Sequence, residues 1–157
     1  MTADERLTEL GIELPTRSAP AGAYVPAVRT GNLVFLSGAG PTRADGSNVT
    51  GKVGSDLDID AAKAAARLVG LQLLASLRDE LGSLDRVVRV VKVLGMVNCA
   101  PGFNRTPAVI DGCSELFIDV FGEAGRGARS AVGMAELPFD IAVEIEAVFE
   151  VVFEMAD

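Results

Sequence analysis

The alternation of apolar and polar positions is sharpest near the C-terminus. Val143, Ile145, Ala147, Phe149, Val151 and Phe153 fall on one face of an extended segment, and Glu144, Glu146 and Glu150 on the other. Period-two alternation of this length predicts a strand with one buried face. Pro138-Phe139-Asp140 joins it to a second predicted strand, Ala128 to Leu137. Val87 to Val97 is rich in β-branched residues, with Arg89 and Lys92 inside it, and predicts a strand with one partly wet face. Toward the N-terminus, Ala23 to Arg29 reads as a strand with Tyr24, Pro26 and Val28 on one face, Pro26 marking an edge or bulge. Thr30-Gly31-Asn32 is a tight turn. Leu33 to Leu36 is a short apolar strand closed by Gly38 and Gly40, and the loop-rich stretch 41–57 has room for a short strand at Val49 to Val53.

Two segments switch to helical spacing. Asp58 or Asp60 can cap a helix to about Leu81, with Gly82 past its end. Ala61, Ala64, Ala65, Leu68, Leu71 and Leu74 make its apolar stripe, widened by Leu73 and Leu77. Thr106 as N-cap and Pro107 at the first turn predict a second helix. It presents Val109, Ile110, Cys113, Leu116, Phe117, Val120 and Phe121 and ends at Gly122. Residues 1–18 read as an arm in which Ala3 to Leu10 can form one or two helical turns before Gly11; residues 19–157 read as a single domain. The order β-β-α-β-α-β-β is an α+β layout with both helices on one sheet face. The opposite face mixes Val148 and Val152 with glutamates, and a half-apolar open face predicts an oligomer.

Composition narrows the function. The 157 residues are 49% apolar and 23% charged, as in a soluble cored protein. The balance of 14 basic against 22 acidic residues leaves −8, which repels nucleic-acid phosphates and anionic membrane surfaces. There is no histidine, hence no imidazole base, no Ser-His-Asp triad and no His metal site. Cys99 and Cys113 read as reduced thiols in a cytoplasmic protein. No signal peptide is visible. The longest uncharged run, Thr30 to Thr42, is too short and too broken by Gly and Pro to span a bilayer.

Three residues carry candidate chemistry. Arg129 shares its strand face with Ala131, Gly133 and Ala135, which leave space above the sheet for a guanidinium to grip a carboxylate; an Arg merely paired with a surface acid fits the same pattern. Glu144, once enclosed, can hold a raised pKa and move a proton, or it can be one of a solvated row of glutamates. Tyr24, the single tyrosine, offers an aromatic wall and a hydroxyl, or plain packing. The Gly-rich run 122–127 lacks the Lys-Ser/Thr of a phosphate loop and reads as a connector.

Gly127-Ala128-Arg129-Ser130-Ala131-Val132, Leu137-Pro138 and Val143-Glu144-Ile145-Glu146-Ala147 together resemble the signature of the RidA (YjgF-type) family. Ala23-Tyr24-Val25, Gly31-Asn32 and Leu36-Ser37-Gly38 are similar to its N-terminal pattern in order and spacing. The resemblance covers about residues 19–153, and the arm makes the chain look like a longer branch. It implies a chorismate-mutase-like fold, a homotrimer with sites in clefts between subunits, and hydrolysis of reactive 2-imino and 2-enamino acids to 2-keto acids and ammonia, without metal or cofactor. By position it implies Arg129 as carboxylate-binding, Glu144 as the acid that positions or activates water, and Tyr24, Ser37 and Gly38 as ligand-contacting. Asp111 stands where the family has asparagine, Ala131 where it has cysteine, Ala39 where it has glutamine and Gly127 where it has proline; Asp111 and Ala131 are taken as substrate-binding positions. The alternative is a non-catalytic binder or sensor of a small carboxylate such as a 2-keto acid. RNA cleavage, described for some relatives, fits poorly with the charge and the missing histidine.

Overall fold

The computed structural model describes residues 1–17 and 19–153. The strands are β1 (Ala27–Thr30), β2 (Leu33–Ala39), β3 (Val87–Asn98), β4 (Ala128–Met134) and β5 (Val143–Val151). The helices are α1 (Ala3–Glu9), α2 (Ile59–Leu81) and α3 (Thr106–Phe121). The sheet order is β1-β2-β5-β3-β4. β3 and β4, joined through α3, are parallel and every other pair is antiparallel, so the sheet is mixed and the protein is α+β.

The alternation of β5 decides the layering. Val143, Ile145, Ala147, Phe149 and Val151 are buried toward α2 and α3. Phe149 meets Phe117 of α3 edge-to-face at 5.5 Å, a contact of about 1 kcal/mol beyond the area it buries. Val34, Leu36, Val93 and Val97 join this core from neighbouring strands. The opposite face carries Phe35, which is 45% exposed and pairs across the sheet with Val148, together with Val28 and Val132, among Glu144, Glu146 and Glu150.

Asp58 caps α2 by accepting from the Ala61 amide, and Gly82 stops the helix at φ 84°, a left-handed conformation that costs glycine nothing. The apolar stripe is rotated from the predicted one. Ala62, Ala65, Ala66 and Val69 are buried, while Ala61 and Ala64 are exposed. The rotation comes from α3, which packs so closely that Gly112 lies against the Lys63 carbonyl, and this draws the 62-65-66-69 face inward.

Three local expectations change. Thr106 does not cap α3: it is the first helical residue, and its hydroxyl donates to the Ala131 carbonyl at 2.9 Å. The stretch 49–53 forms isolated bridges rather than a strand, because its partners Ile141, Leu57 and Cys99 come from three different segments. The first strand starts only at Ala27, since Pro26 has no N–H to extend the ladder; Tyr24 lies in the turn before it. The N-terminal segment supplies α1, with a Thr2/Glu5 capping box, and buries Leu7 in the core. Among the described residues no helix is long and apolar enough to cross a membrane.

Candidate functional site

A bulge organises the site. Leu36 pairs with Ala147 and Ala39 with Ile145, so Ser37 and Gly38 together oppose the single residue Glu146. Such a bulge bends the strand and re-aims its side chains. Beyond Ser37 the outer edge of β2 has no strand partner, because β1 begins opposite Leu36. The chain before β1 closes over this edge instead. Ser37 donates from its amide to the Pro26 carbonyl (2.9 Å) and from its hydroxyl to the Val25 carbonyl (2.6 Å).

Beneath that cover is a cavity of about 690 Å³. Tyr24, Ser37, Gly38 and Glu144 all line it. Glu144 reaches it from the open face of β5 and presses on Gly38: a Cβ there would lie 2.5 Å from Oε2 of the carboxylate. Burial pushes the Glu144 pKa above its ordinary value, and the charge of Glu146 adds to the rise. Tyr24 is half exposed, and its hydroxyl accepts from the Ala21 amide at 3.3 Å. Four of the seven predicted positions therefore share one wall of one cavity.

Arg129 is elsewhere. Its register partner across the parallel pair is Val93, which faces the helices, so the side chain rises on the helix side of β4, the edge strand. There Nη1 donates to Asp111 Oδ1 at 2.7 Å and to Ser114 Oγ at 3.2 Å on α3. The remaining edge of the guanidinium, Nε with Nη2, makes no hydrogen bond among the described residues. That edge offers two parallel donors, the geometry a carboxylate takes up in a bidentate pair. Ala131, two residues on, points the same way and packs against the core. Arg129, Asp111 and Ala131 thus form a second cluster, and within one chain the sheet lies between it and Glu144.

The sequence pattern did not single out other residues that face the cavity. Gln72 and Ser76 of α2 line it, both nine-tenths buried. Their signal was available: two polar residues one helical turn apart on a buried face. Arg17 also lines it, its Nε lying 3.5 Å from Asp79. Phe139 stands at the rim, 80% exposed at φ 56° and followed by Asp140 at φ 58°. A bulky residue in the left-handed region is a genuine outlier, and Asn98 holds this one in place by donating to Asp140 Oδ1 (3.0 Å) and to the Ile141 carbonyl (3.1 Å). Among the described residues no group of three or more Cys, Asp or Glu side chains could hold a metal ion.

Residues 4–148 match the family profile described as "YjgF/chorismate_mutase-like, putative endoribonuclease". A curated relative from Trypanosoma cruzi, Protein TCP17, is 45% identical over 92% of this chain and 91% of its own. The 2-iminobutanoate/2-iminopropanoate deaminase of Dermatophagoides farinae is 34% identical over 87% of this chain and 92% of its own. A crystal structure of a protein of unknown function from Agrobacterium tumefaciens superposes with a TM-score of 0.86 at 43% identity, covering 96% of this chain and 92% of that one.

Proposed function

The chain belongs to the YjgF/chorismate-mutase-like family, and from that premise we propose that it hydrolyses 2-imino and 2-enamino acids to 2-keto acids and ammonia, in a cleft shared by neighbouring subunits of a homotrimer. The observation that carries the reading is Glu144, a carboxylate enclosed against Gly38 whose affinity for a proton is raised by burial. A general base works best when its pKa lies nearer the working pH than that of a free carboxylate. The activity named for the mite relative supports the same chemistry.

The reaction needs little beyond placement. The imine carbon is already electrophilic. Water adds its oxygen to C2 of the protonated imine, whose nitrogen already carries two hydrogens, while one of the water's protons passes to Glu144. The resulting carbinolamine takes that proton back on nitrogen, the C–N bond breaks with its electron pair leaving on ammonia, and loss of the hydroxyl proton leaves the 2-keto acid. Arg129 grips the substrate carboxylate through its free Nε–Nη2 edge, which fixes C2 relative to the water, and orienting the reactants in this way supplies much of the acceleration. Ser37 and Gly38 contribute backbone groups at the bulge, and Tyr24 a wall and a hydroxyl.

Arg129 and Glu144 face opposite sides of one sheet, so a working site needs the Arg129 cluster of one copy against the Glu144 cavity of the next. The open face, with Val28, Phe35 and Val132 exposed, supplies apolar surface for that assembly. The charge of −8 argues against a nucleic-acid partner, and the two free cysteines fit a reducing cytoplasm.

The test is the decay of 2-aminoacrylate and of 2-iminobutanoate, with semicarbazide trapping the intermediate. The protein accelerates ammonia release, and Arg129→Ala removes most of that acceleration. Equal decay with and without protein, alongside a thermal shift on adding 2-oxobutanoate, would instead identify a non-catalytic binder of small carboxylates.

A further inference from the structure

The cavity is larger than a three- or four-carbon imino acid requires, and its far wall is chemically distinct. From Glu144 on the open face it wraps around the unpartnered edge of β2, Gly38 to Gly40, and reaches the helix layer. There it meets Gln72 and Ser76. They are 9% and 8% exposed, and among the described residues neither side chain makes a hydrogen bond. Their polar atoms open onto the cavity, so a ligand that drives water from them must either supply their hydrogen bonds or leave them desolvated and unpaired. Two such side chains, one turn apart on the same helix and lining the same cavity, form a prepared set of donors and acceptors.

We propose that Gln72 and Ser76, with Arg17 beside them, form a second subsite that receives the side-chain terminus of the substrate, and that this terminus is an uncharged carboxamide. The proposal rests on the imino-acid reading above and extends it to substrate class. A primary amide carries both a donor and an acceptor, the complement of the Gln72 amide. A hydrocarbon terminus would leave both side chains buried and unpaired, and sites with buried polar groups discriminate most strongly against ligands that cannot satisfy them. A second carboxylate is disfavoured by charge. Glu144 and Glu146 line the same cavity, and Arg17, the one cation on its wall among the described residues, is engaged by Asp79 at 3.5 Å. The chain ahead of β1 thus acts as more than packing: Arg17 of the arm and Ala19 to Ala21 after it close the subsite from outside.

The experiment compares imino acids generated in place by an L-amino-acid oxidase. Asparagine and glutamine give amide termini, aspartate and glutamate give acids of the same shape, and leucine and norleucine give apolar ones. The imino acid from alanine reports on the basic reaction. We expect kcat/KM for the amide-ended substrates to exceed that for the acid and apolar ones by tenfold or more. Gln72→Leu and Ser76→Ala should each cut that preference at least fivefold, and Gln72→Asn should restore part of it. Circular dichroism verifies the fold of each variant. Turnover of the alanine-derived imino acid with no amide preference, or a preference untouched by Gln72→Leu, overturns the subsite and leaves the reaction standing. Failure to turn over even the alanine-derived substrate overturns the reaction; the subsite is then judged by whether 2-oxosuccinamate raises the melting temperature more than 2-oxosuccinate and 4-methyl-2-oxopentanoate do, and an equal or smaller shift overturns it.

Discussion

Gly38→Ala isolates the placement of Glu144 from everything else in the fold. Gly38 is not in the left-handed region, so alanine meets no backbone penalty there. It also reduces the freedom of the unfolded chain, worth about 0.4–1 kcal/mol in favour of folding. What the new Cβ meets is one flexible side chain, with Glu144 Oε2 at 2.5 Å, Cδ at 3.0 Å and Cγ at 3.2 Å. Ordinary contact begins near 3.4 Å, so the carboxylate must withdraw by about 0.9 Å, the difference between 3.4 and 2.5. A misplacement of about 1 Å at a reacting group can cost on the order of 100-fold in rate. Steady-state deaminase assays should therefore show kcat lowered by roughly two orders of magnitude. The melting temperature should move by no more than about 4 °C, the effect of about 1 kcal/mol in a chain of this size. KM should change little, because the proposed carboxylate grip is assigned to Arg129. Activity within threefold of the parent, with a crystal structure showing Glu144 displaced, would refute a role for that carboxylate at the reacting atoms.

Other outcomes follow from the same contacts. Arg129→Ala should raise KM by about 10- to 100-fold, since a charge-assisted hydrogen bond is worth about 1.5–3 kcal/mol; saturation kinetics on 2-iminobutanoate measure it. In the parent, kcat/KM should fall with acid through a pKa above the ordinary glutamate value of 4.5, because proton transfer from water needs the carboxylate form. The raised pKa also means that the folded state binds this proton more tightly than the unfolded one, so Glu144 lowers stability as pH rises from 4.5 through its folded value. Glu144→Gln should accordingly melt higher than the parent at pH 8, and the gap should close at pH 4, as calorimetry at both pH values will show. Gly112→Ala would put a Cβ 2.0 Å from the Lys63 carbonyl oxygen, a backbone atom that cannot step aside. Overpacking of that kind should cost about 3 kcal/mol or more and lower the melting temperature by roughly 6–12 °C. Phe35→Asp on the open face should yield monomers by analytical ultracentrifugation and, if the site is split between copies as proposed, abolish turnover while leaving the circular dichroism spectrum unchanged.

Strand and helix identities were readable along the chain because they depend on neighbours at fixed spacing. β5 declared its buried face through strict alternation, and α2 its ends through Asp58 and Gly82. The family signature around Arg129 and Glu144 was legible for the same reason, being local runs of residues. The phase of α2 was not, because two faces of that helix are rich in alanine, and only the close approach of Gly112 selects the inner one.

Local pattern was enough to establish an α+β chain with an amphipathic last strand and a net charge of −8, and to single out a short set of candidate residues for carboxylate and proton chemistry. It could not say which of those residues meet. Arg129 and Glu144 sit on strands consecutive in chain order, β4 and β5, yet pleating sends one toward α3 and the other to the open face, and β3 lies between their strands. Nor could it show that the segment before β1 folds over a bulged edge and brings Gln72, Ser76 and Arg17 to the same cavity. Contacts between segments far apart in sequence arise from register, bulges and layer packing, which no single stretch of the chain encodes.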